Sequence, residues 1–290
     1  MLLHSTYLHY KNDLNTYQLR LLMELINKKY ILLNKISSGC FGSIYKGQNI
    51  RTKEYVAIKI EYIKDDLKLL KNESKIYQYL NGCECIPNVK WFGKDEHNYY
   101  MVINLLGNSL QDLINKIRIF SLALTLKIGI KVLTILKTIH DKGLVHRDIK
   151  PDNFLFGLNQ INNIYLIDFG FCKSYIDNGR HNKIKKMHHM IGSKNYASIS
   201  SHQCYDLSRK DDLESLSYML IYFNTGILPW NNTSNEETII KLKNDILKDN
   251  IYPSVLLDFL KYSRNLEYEE TPNYYLVIDN FKRELELLIK

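Results

Sequence analysis

The chain has 290 residues, 45% of them hydrophobic, and a formal net charge of +8, so it can bury a sizeable core and is long for one simple domain. No segment reads as a secretory signal, since Met1–Leu3 gives way at once to His4, Ser5 and His9, and the most apolar run, Ser121 to His140, carries Lys127, Lys131 and Lys137, which points to a buried helix and excludes a bilayer span. Five cysteines without framework spacing exclude a disulfide scaffold and indicate an intracellular, reducing setting, cytoplasmic or nuclear, with Cys83 and Cys85 as free thiols.

In chain order, a short helix is expected from Leu14 to Ile26. Strand-like runs follow at Tyr30–Ser37, Ser43–Gln48 and Glu54–Glu61, the last rich in β-branched Val56, Ile58 and Ile60. A helix is predicted from about Asp66 to Leu80, then strands near Asn88–Phe92 and Tyr99–Asn104. Beyond Gly107 the periodicity is helical almost throughout, with helices at Lys210–Asn224, Glu236–Leu247, Ser254–Arg264 and Asn273–Leu288. The pattern is α+β, a small β-rich lobe followed by a larger helical one.

The chemistry concentrates in two motifs. His146 to Asn153 reads H-R-D-I-K-P-D-N, and I-D-F-G follows at Ile167 to Gly170 after one short hairpin. Asp148 is the candidate base for a substrate hydroxyl, Lys150 is placed to neutralise a transferred phosphoryl group, and Asn153 and Asp168 offer hard oxygen ligands for Mg²⁺. Any one of these alone reads as a turn residue or helix cap; the four in order match the protein-kinase signature.

Upstream, I-S-S-G-C-F-G-S-I comprises Ile36, Ser37, Ser38, Gly39, Cys40, Phe41, Gly42, Ser43 and Ile44. Its glycines could bring backbone N–H groups close to phosphates, or simply make an ordinary hairpin turn. V-A-I-K, with Ala57 and Lys59, lies on a following strand. Lys59 ends an apolar strand and needs an anion there. Glu73 falls within the stripe of Leu69, Leu70, Ile76, Tyr77 and Leu80, where a carboxylate is costly unless paired. It is either the partner of Lys59 or a solvated residue at the edge of the stripe; the order of the motifs favours the pair.

These motifs, and others around them, resemble the casein kinase 1 family of eukaryotic-type protein kinases over about Lys29 to Leu288. E-S-K-I-Y at Glu73, L-L-G-N-S-L-Q-D-L at Leu105–Leu113, K-P-D-N-F-L-F-G at Lys150–Gly157, Y-A-S-I at Tyr196–Ile199, R-K-D-D-L-E-S-L at Arg209–Leu216 and L-P-W at Leu228–Trp230 carry the likeness. The resemblance implies the two-lobed kinase fold, ATP with Mg²⁺, and transfer to Ser/Thr in acidic or already phosphorylated proteins. It places a kinase domain over 29–290, behind an extension at 1–28. Within it, the β-rich lobe spans about 29–103, a hinge about 104–107 and a helical lobe about 108–290. Ile103 would be the gatekeeper, Asn104 C=O and Leu106 N–H would bond adenine, Ser193 would brace Asp148 and Lys150, and Asp212 would tie down the catalytic loop. A monomer is expected, without a membrane or a specific nucleic-acid partner; the lysines are spread along the chain instead of forming one stripe.

The chain departs from that pattern at two places. Ser37 stands where the first loop glycine should be, and Asn195 replaces an arginine that binds a substrate's priming phosphate, with Lys194 and Lys241 as nearby candidates for positive charge. A pseudokinase ranks lower because Lys59, Asp148 and Asp168 are all retained. A small-molecule kinase of similar fold is disfavoured by the helical second half and the Tyr196–Ile199 segment.

Overall fold

The computed structural model describes residues 25–39, 42–63 and 69–289. Most of the expected helix at Leu14–Ile26, the start of the one at Asp66, and Cys40 and Phe41 lie outside them. Ile26 itself is not helical: it pairs with Tyr30 in an isolated bridge, closing a tight turn through Asn27 and Lys28, both at positive φ. The chain divides into two compact units, residues 1–78 with 88–105, and 79–87 with 106–290.

Among the described residues, the first unit comprises a five-stranded antiparallel sheet and one helix. The strands are β1 (Tyr30–Gly39), β2 (Gly42–Asn49), β3 (Tyr55–Tyr62), β4 (Val89–Lys94) and β5 (Asn98–Asn104), in the order β1-β2-β3-β5-β4. Alternation along β3 sorts its residues to two faces. Val56 and Ile58 join Tyr30 and Val102 in a fully buried cluster with Trp91 and Leu32 against it. Ala57 and Lys59 point the other way, opposite Ile103 and Met101 on β5. That second face meets α1 (Leu69–Tyr79), whose Leu70, Glu73, Ser74 and Tyr77 are buried. The Glu61 carboxylate, also on this face, accepts the Leu70 N–H at 2.9 Å and so satisfies one of the open donors at the start of α1.

The second unit is mainly helical: α2 (Leu110–Ile117), α3 (Leu122–Asp141), α4 (Ile199–His202), α5 (Arg209–Thr225), α6 (Glu236–Asp245), α7 (Ser254–Asn265) and α8 (Tyr274–Ile289). Ser109 and Asp112 form a reciprocal capping box for α2, and the Ser121 hydroxyl caps α3 at Leu124 N. The run Ser121–His140 is thus a core helix, and among the described residues no helix is long and apolar enough to cross a membrane. Helix α5 is buried on nearly every side, from Leu213 to Phe223, and packs against α3 and α7. A hydrophobic period cannot single out one face in such a helix. Short strand pairs carry the loops: β6 (Leu144–Val145) with β9 (Lys173–Ser174), β7 (Phe154–Gly157) with β8 (Gln160–Leu166), and β10 (Ile176–Asp177) with β11 (Arg180–His181).

Candidate active site

In the first unit, β1 and β2 close at Gly39 opposite Gly42, with Ser37 opposite Ile44 and Ser38 opposite Ser43. Gly42 has φ +134°, and a Cβ there would lie 2.0 Å from the Ile60 carbonyl oxygen. Only glycine fits there, which lets the start of β2 come this close to the β3 backbone. Ile36, Ser37 and Ser38 are exposed, while Ala57 and Ile103 are less so and face each other across β3 and β5. Asn104 Oδ1 accepts the Asn88 N–H at 2.8 Å, which fixes the start of β4 to the end of β5. Leu106 begins the longer of the two stretches that make up the second unit.

Lys59 Nζ lies 2.7 Å from Glu73 Oε2, and the Glu73 side chain is 2% exposed. The alternative of a solvated Glu73 at the stripe's edge is therefore excluded. The carboxylate needs the ammonium as much as the ammonium needs it, because either one buried alone would carry a large desolvation cost.

In the second unit, the loop from His146 to Asn153 is fixed from beneath by α5. Asp212 Oδ2 accepts His146 N–H at 2.8 Å and His140 Nε2 at 2.9 Å, and Oδ1 accepts Arg147 N–H at 2.8 Å. Burial alone would raise this carboxyl, but the hydrogen bond from His140, the adjoining His146 ring and the His146 amide outweigh it and hold Asp212 below the ordinary aspartate range. Arg147 takes φ 69°, a left-handed conformation that costs free energy for a non-glycine residue and is held here by that carboxylate. His146 accepts Asp148 N–H at Nδ1 (3.3 Å) and meets Ile167 O at Nε2 (3.1 Å), so the tautomer with its proton on Nε2 serves both contacts.

This arrangement presents Asp148 between two donors. Its Oδ2 lies 2.7 Å from Lys150 Nζ, and its Oδ1 accepts Ser193 N–H at 2.7 Å. Lys150 Nζ also donates to Ser193 Oγ at 3.1 Å. Gly192, at φ +92°, permits this approach: a Cβ there would sit 2.6 Å from the Arg147 carbonyl oxygen. Asn153 donates Nδ2 to Asp148 O at 2.8 Å, and Ile167 N donates to Asn153 O at 2.9 Å, which brings the residue before Asp168 against Asn153. Asp168 is also left-handed, at φ 64°, and Phe169 behind it is buried edge-on to His146 at 5.2 Å. With Nδ2 committed, Asn153 keeps its Oδ1 as an oxygen donor, and together with the Asp168 carboxylate it would suit a hard cation such as Mg²⁺. Among the described residues no group of three His, Cys, Asp or Glu could hold a metal on protein ligands alone.

The family model for the protein kinase domain matches residues 30–273. The chain belongs to the protein kinase family. A phosphotransferase acting on proteins is thereby established as its class, and kinase domains in general use ATP with Mg²⁺.

The kinase site also contains groups that its motifs do not announce. Arg147 Nε donates to Phe171 O at 2.6 Å, and its guanidinium lies 3.8 Å from Asp206, which Lys173 Nζ also meets at 2.5 Å. Asp206 lies between two motifs, and no spacing rule points to it. Past Ser193, the carbonyls of Lys194, Asn195 and Ala197 are held by two side chains from further along the chain. Trp230 Nε1 donates to Asn195 O at 2.8 Å, and Lys243 Nζ donates to Lys194 O and Ala197 O. Lys243 is fully buried, whereas Lys241 is exposed on α6. The sequence does carry a signal for Lys243: it falls between buried Ile239 and Ile246 at i+4 and i+7 from Ile239, a lysine inside an apolar stripe. The pair His188 and His189 and the run Lys183, Lys185 and Lys186 are exposed. Cys83, Cys85, Cys172 and Cys204 are free thiols.

Proposed function

We propose that this kinase is a Ser/Thr kinase of the casein kinase 1 type, using ATP with Mg²⁺ to phosphorylate acidic proteins. The observation that carries the reading is the Asp148–Lys150–Ser193 triangle. A lysine two residues after the base bonds both the base and the hydroxyl of the segment that follows, which suits a small aliphatic hydroxyl acceptor. The acceptor hydroxyl oxygen attacks the γ-phosphorus, the bond from that phosphorus to the departing ADP oxygen breaks, and the hydroxyl proton passes to Asp148. Lys150 neutralises charge on the transferring group, and Lys59, held by Glu73, orients the α- and β-phosphates. Mg²⁺ on Asn153 and Asp168 supplies charge neutralisation at the phosphates when bound. The hairpin around Gly39 and Gly42 covers the nucleotide, and residues 104–107, with Ile103 as gatekeeper, receive the adenine.

The exposed basic residues at 183–189 give acidic substrates a favourable field, screened by salt. Asn195 lacks the fixed charge and fork of an arginine, so a priming phosphate gains less here than the family resemblance implies. Incubation with radiolabelled ATP and casein, alongside Asp148→Asn, tests the reading. Label on serine and threonine that disappears in the variant supports it; label on tyrosine alone, or equal label in both proteins, overturns it.

A further inference from the structure

Lys243 is a buried cation that the phosphoryl-transfer chemistry does not use. Its ammonium has three donors, and three acceptors surround it: Ala197 O, Lys194 O at 3.3 Å, and His202 Nε2 at 2.9 Å. The rings of Tyr218 and Trp230 lie 4.6 and 5.1 Å from it, adding two faces that favour positive charge. His202 in turn holds Glu236 through Nδ1 at 2.5 Å, so a neutral imidazole relays the ammonium to a carboxylate. Burial and the nearby Lys243 charge both lower the His202 pKa, consistent with that neutral form.

Both carbonyls belong to the stretch directly after Ser193, whose amide and hydroxyl meet the base and Lys150. A peptide presenting its hydroxyl to Asp148 must lie against this stretch. We propose that Lys243 is a positioning residue for the protein substrate: by pinning the Lys194 and Ala197 carbonyls it fixes the surface that orders the residues around the acceptor hydroxyl. The inference rests on the assignment of Asp148 as the base. Lys243 acts through the backbone and touches neither nucleotide nor reacting atoms.

The geometry also makes the positioning sensitive to proton loss. A neutral amine has only two N–H groups, too few for three acceptors. Burial pulls this ammonium down from the usual lysine range to about 7, with Glu214 and Glu236 opposing the shift and Arg264 reinforcing it. The other titratable groups in contact with it are His202 and Tyr218. Stability linkage runs opposite to the positioning effect. Because the folded-state value lies below the unfolded one, the unfavourable burial of charge is relieved as pH rises through about 7 and beyond, so any loosening of the segment is local and not global unfolding.

Lys243→Met, which keeps the chain length without the charge, is assayed with an unprimed acidic peptide whose groups do not titrate near neutrality. The expected result is a peptide KM raised about tenfold, the loss of roughly one hydrogen bond's contribution, with kcat and the KM for ATP close to wild type. Wild-type peptide KM should rise between about pH 6 and about pH 8.5, and the variant should lose that dependence. Equal losses in kcat and in both KM values, or an unchanged peptide KM, overturn the proposal. Should Lys243→Met fail to fold, wild-type hydrogen exchange decides: protection of amides 194–199, corrected for intrinsic rates, must fall over the same pH range, and constant protection refutes the idea. Absence of peptide phosphorylation by wild type, or undiminished phosphorylation by Asp148→Asn, would instead count against the kinase reading on which this rests.

Discussion

Replacing Asp212 with asparagine tests how α5 holds the catalytic loop. The carboxylate accepts from His140 Nε2, His146 N and Arg147 N within 2.8–2.9 Å. An amide has one oxygen. Placed where Oδ2 now sits, it keeps the two histidine contacts without their charge assistance and turns its NH₂ against the Arg147 N–H. One buried amide left unsatisfied costs about 1–3 kcal/mol, and the weakened pair brings the total to roughly 3 kcal/mol. At about 2–4 °C per kcal/mol, the melting temperature should fall by about 6–12 °C. Arg147, no longer held at φ 69°, relaxes and carries Asp148 with it; a displacement of about 1 Å costs roughly 100-fold in turnover. Thermal unfolding followed by circular dichroism and kcat on an acidic peptide measure the two effects. Because Asp212 is held below the ordinary carboxylate range, its contribution is present above the unfolded value near 4 and is lost as pH falls through the lower folded value. The gap between wild type and variant should therefore narrow in acid. A variant with kcat within about threefold of wild type and an unchanged melting temperature would show that this carboxylate does not hold the loop.

Lys59→Met should lower kcat by at least about 1,000-fold on a folded protein, because this chemistry depends on positioning and charge; the stranded Glu73 can take up a proton, and wild-type turnover would refute the role. Activity should survive phosphatase treatment of bacterially made enzyme: no Ser, Thr or Tyr lies between Ile176 and Gly192, and Arg147 already faces the Asp206 carboxylate. A large loss that does not trace to Ser193 or Tyr196 would refute this. Asn195→Arg should raise kcat/KM on a peptide phosphorylated three residues before the target, by roughly 1.5–3 kcal/mol per charge-assisted bond gained, and leave an unprimed peptide nearly unchanged. A strong wild-type preference for the primed peptide, with no gain in the variant, would mean that another group holds that phosphate.

The sheet and the long helices follow their periodicity closely: β3 begins at Tyr55 for an expected Glu54, and α7 spans Ser254–Asn265 for an expected Ser254–Arg264. Period and caps are local properties, and a sequence states them directly. The strand pairs β6–β9 and β10–β11 were not legible, since two-residue strands have no period. The failure at Ile26 has a similar origin. An apolar residue at the end of a helical pattern is equally suited to a bridge, and the turn at Asn27 and Lys28 decided it.

The contrast between Lys241 and Lys243 shows what remains out of reach. The family resemblance points to Lys241, the exposed residue, whereas periodicity places Lys243 in the buried stripe. Even so, a buried lysine tells a reader only that acceptors exist. Here two of them are main-chain carbonyls, 46 and 49 residues back along the chain. Side-chain partners such as Glu73 for Lys59 can be sought by letter, because a carboxylate belongs to two residue types. A carbonyl belongs to all twenty, so a cation satisfied by backbone leaves no complementary signature anywhere else in the sequence. The pinning of the segment after Ser193 is consequently a property of the fold, legible only once α6 and the Lys194–Ala197 stretch are seen side by side.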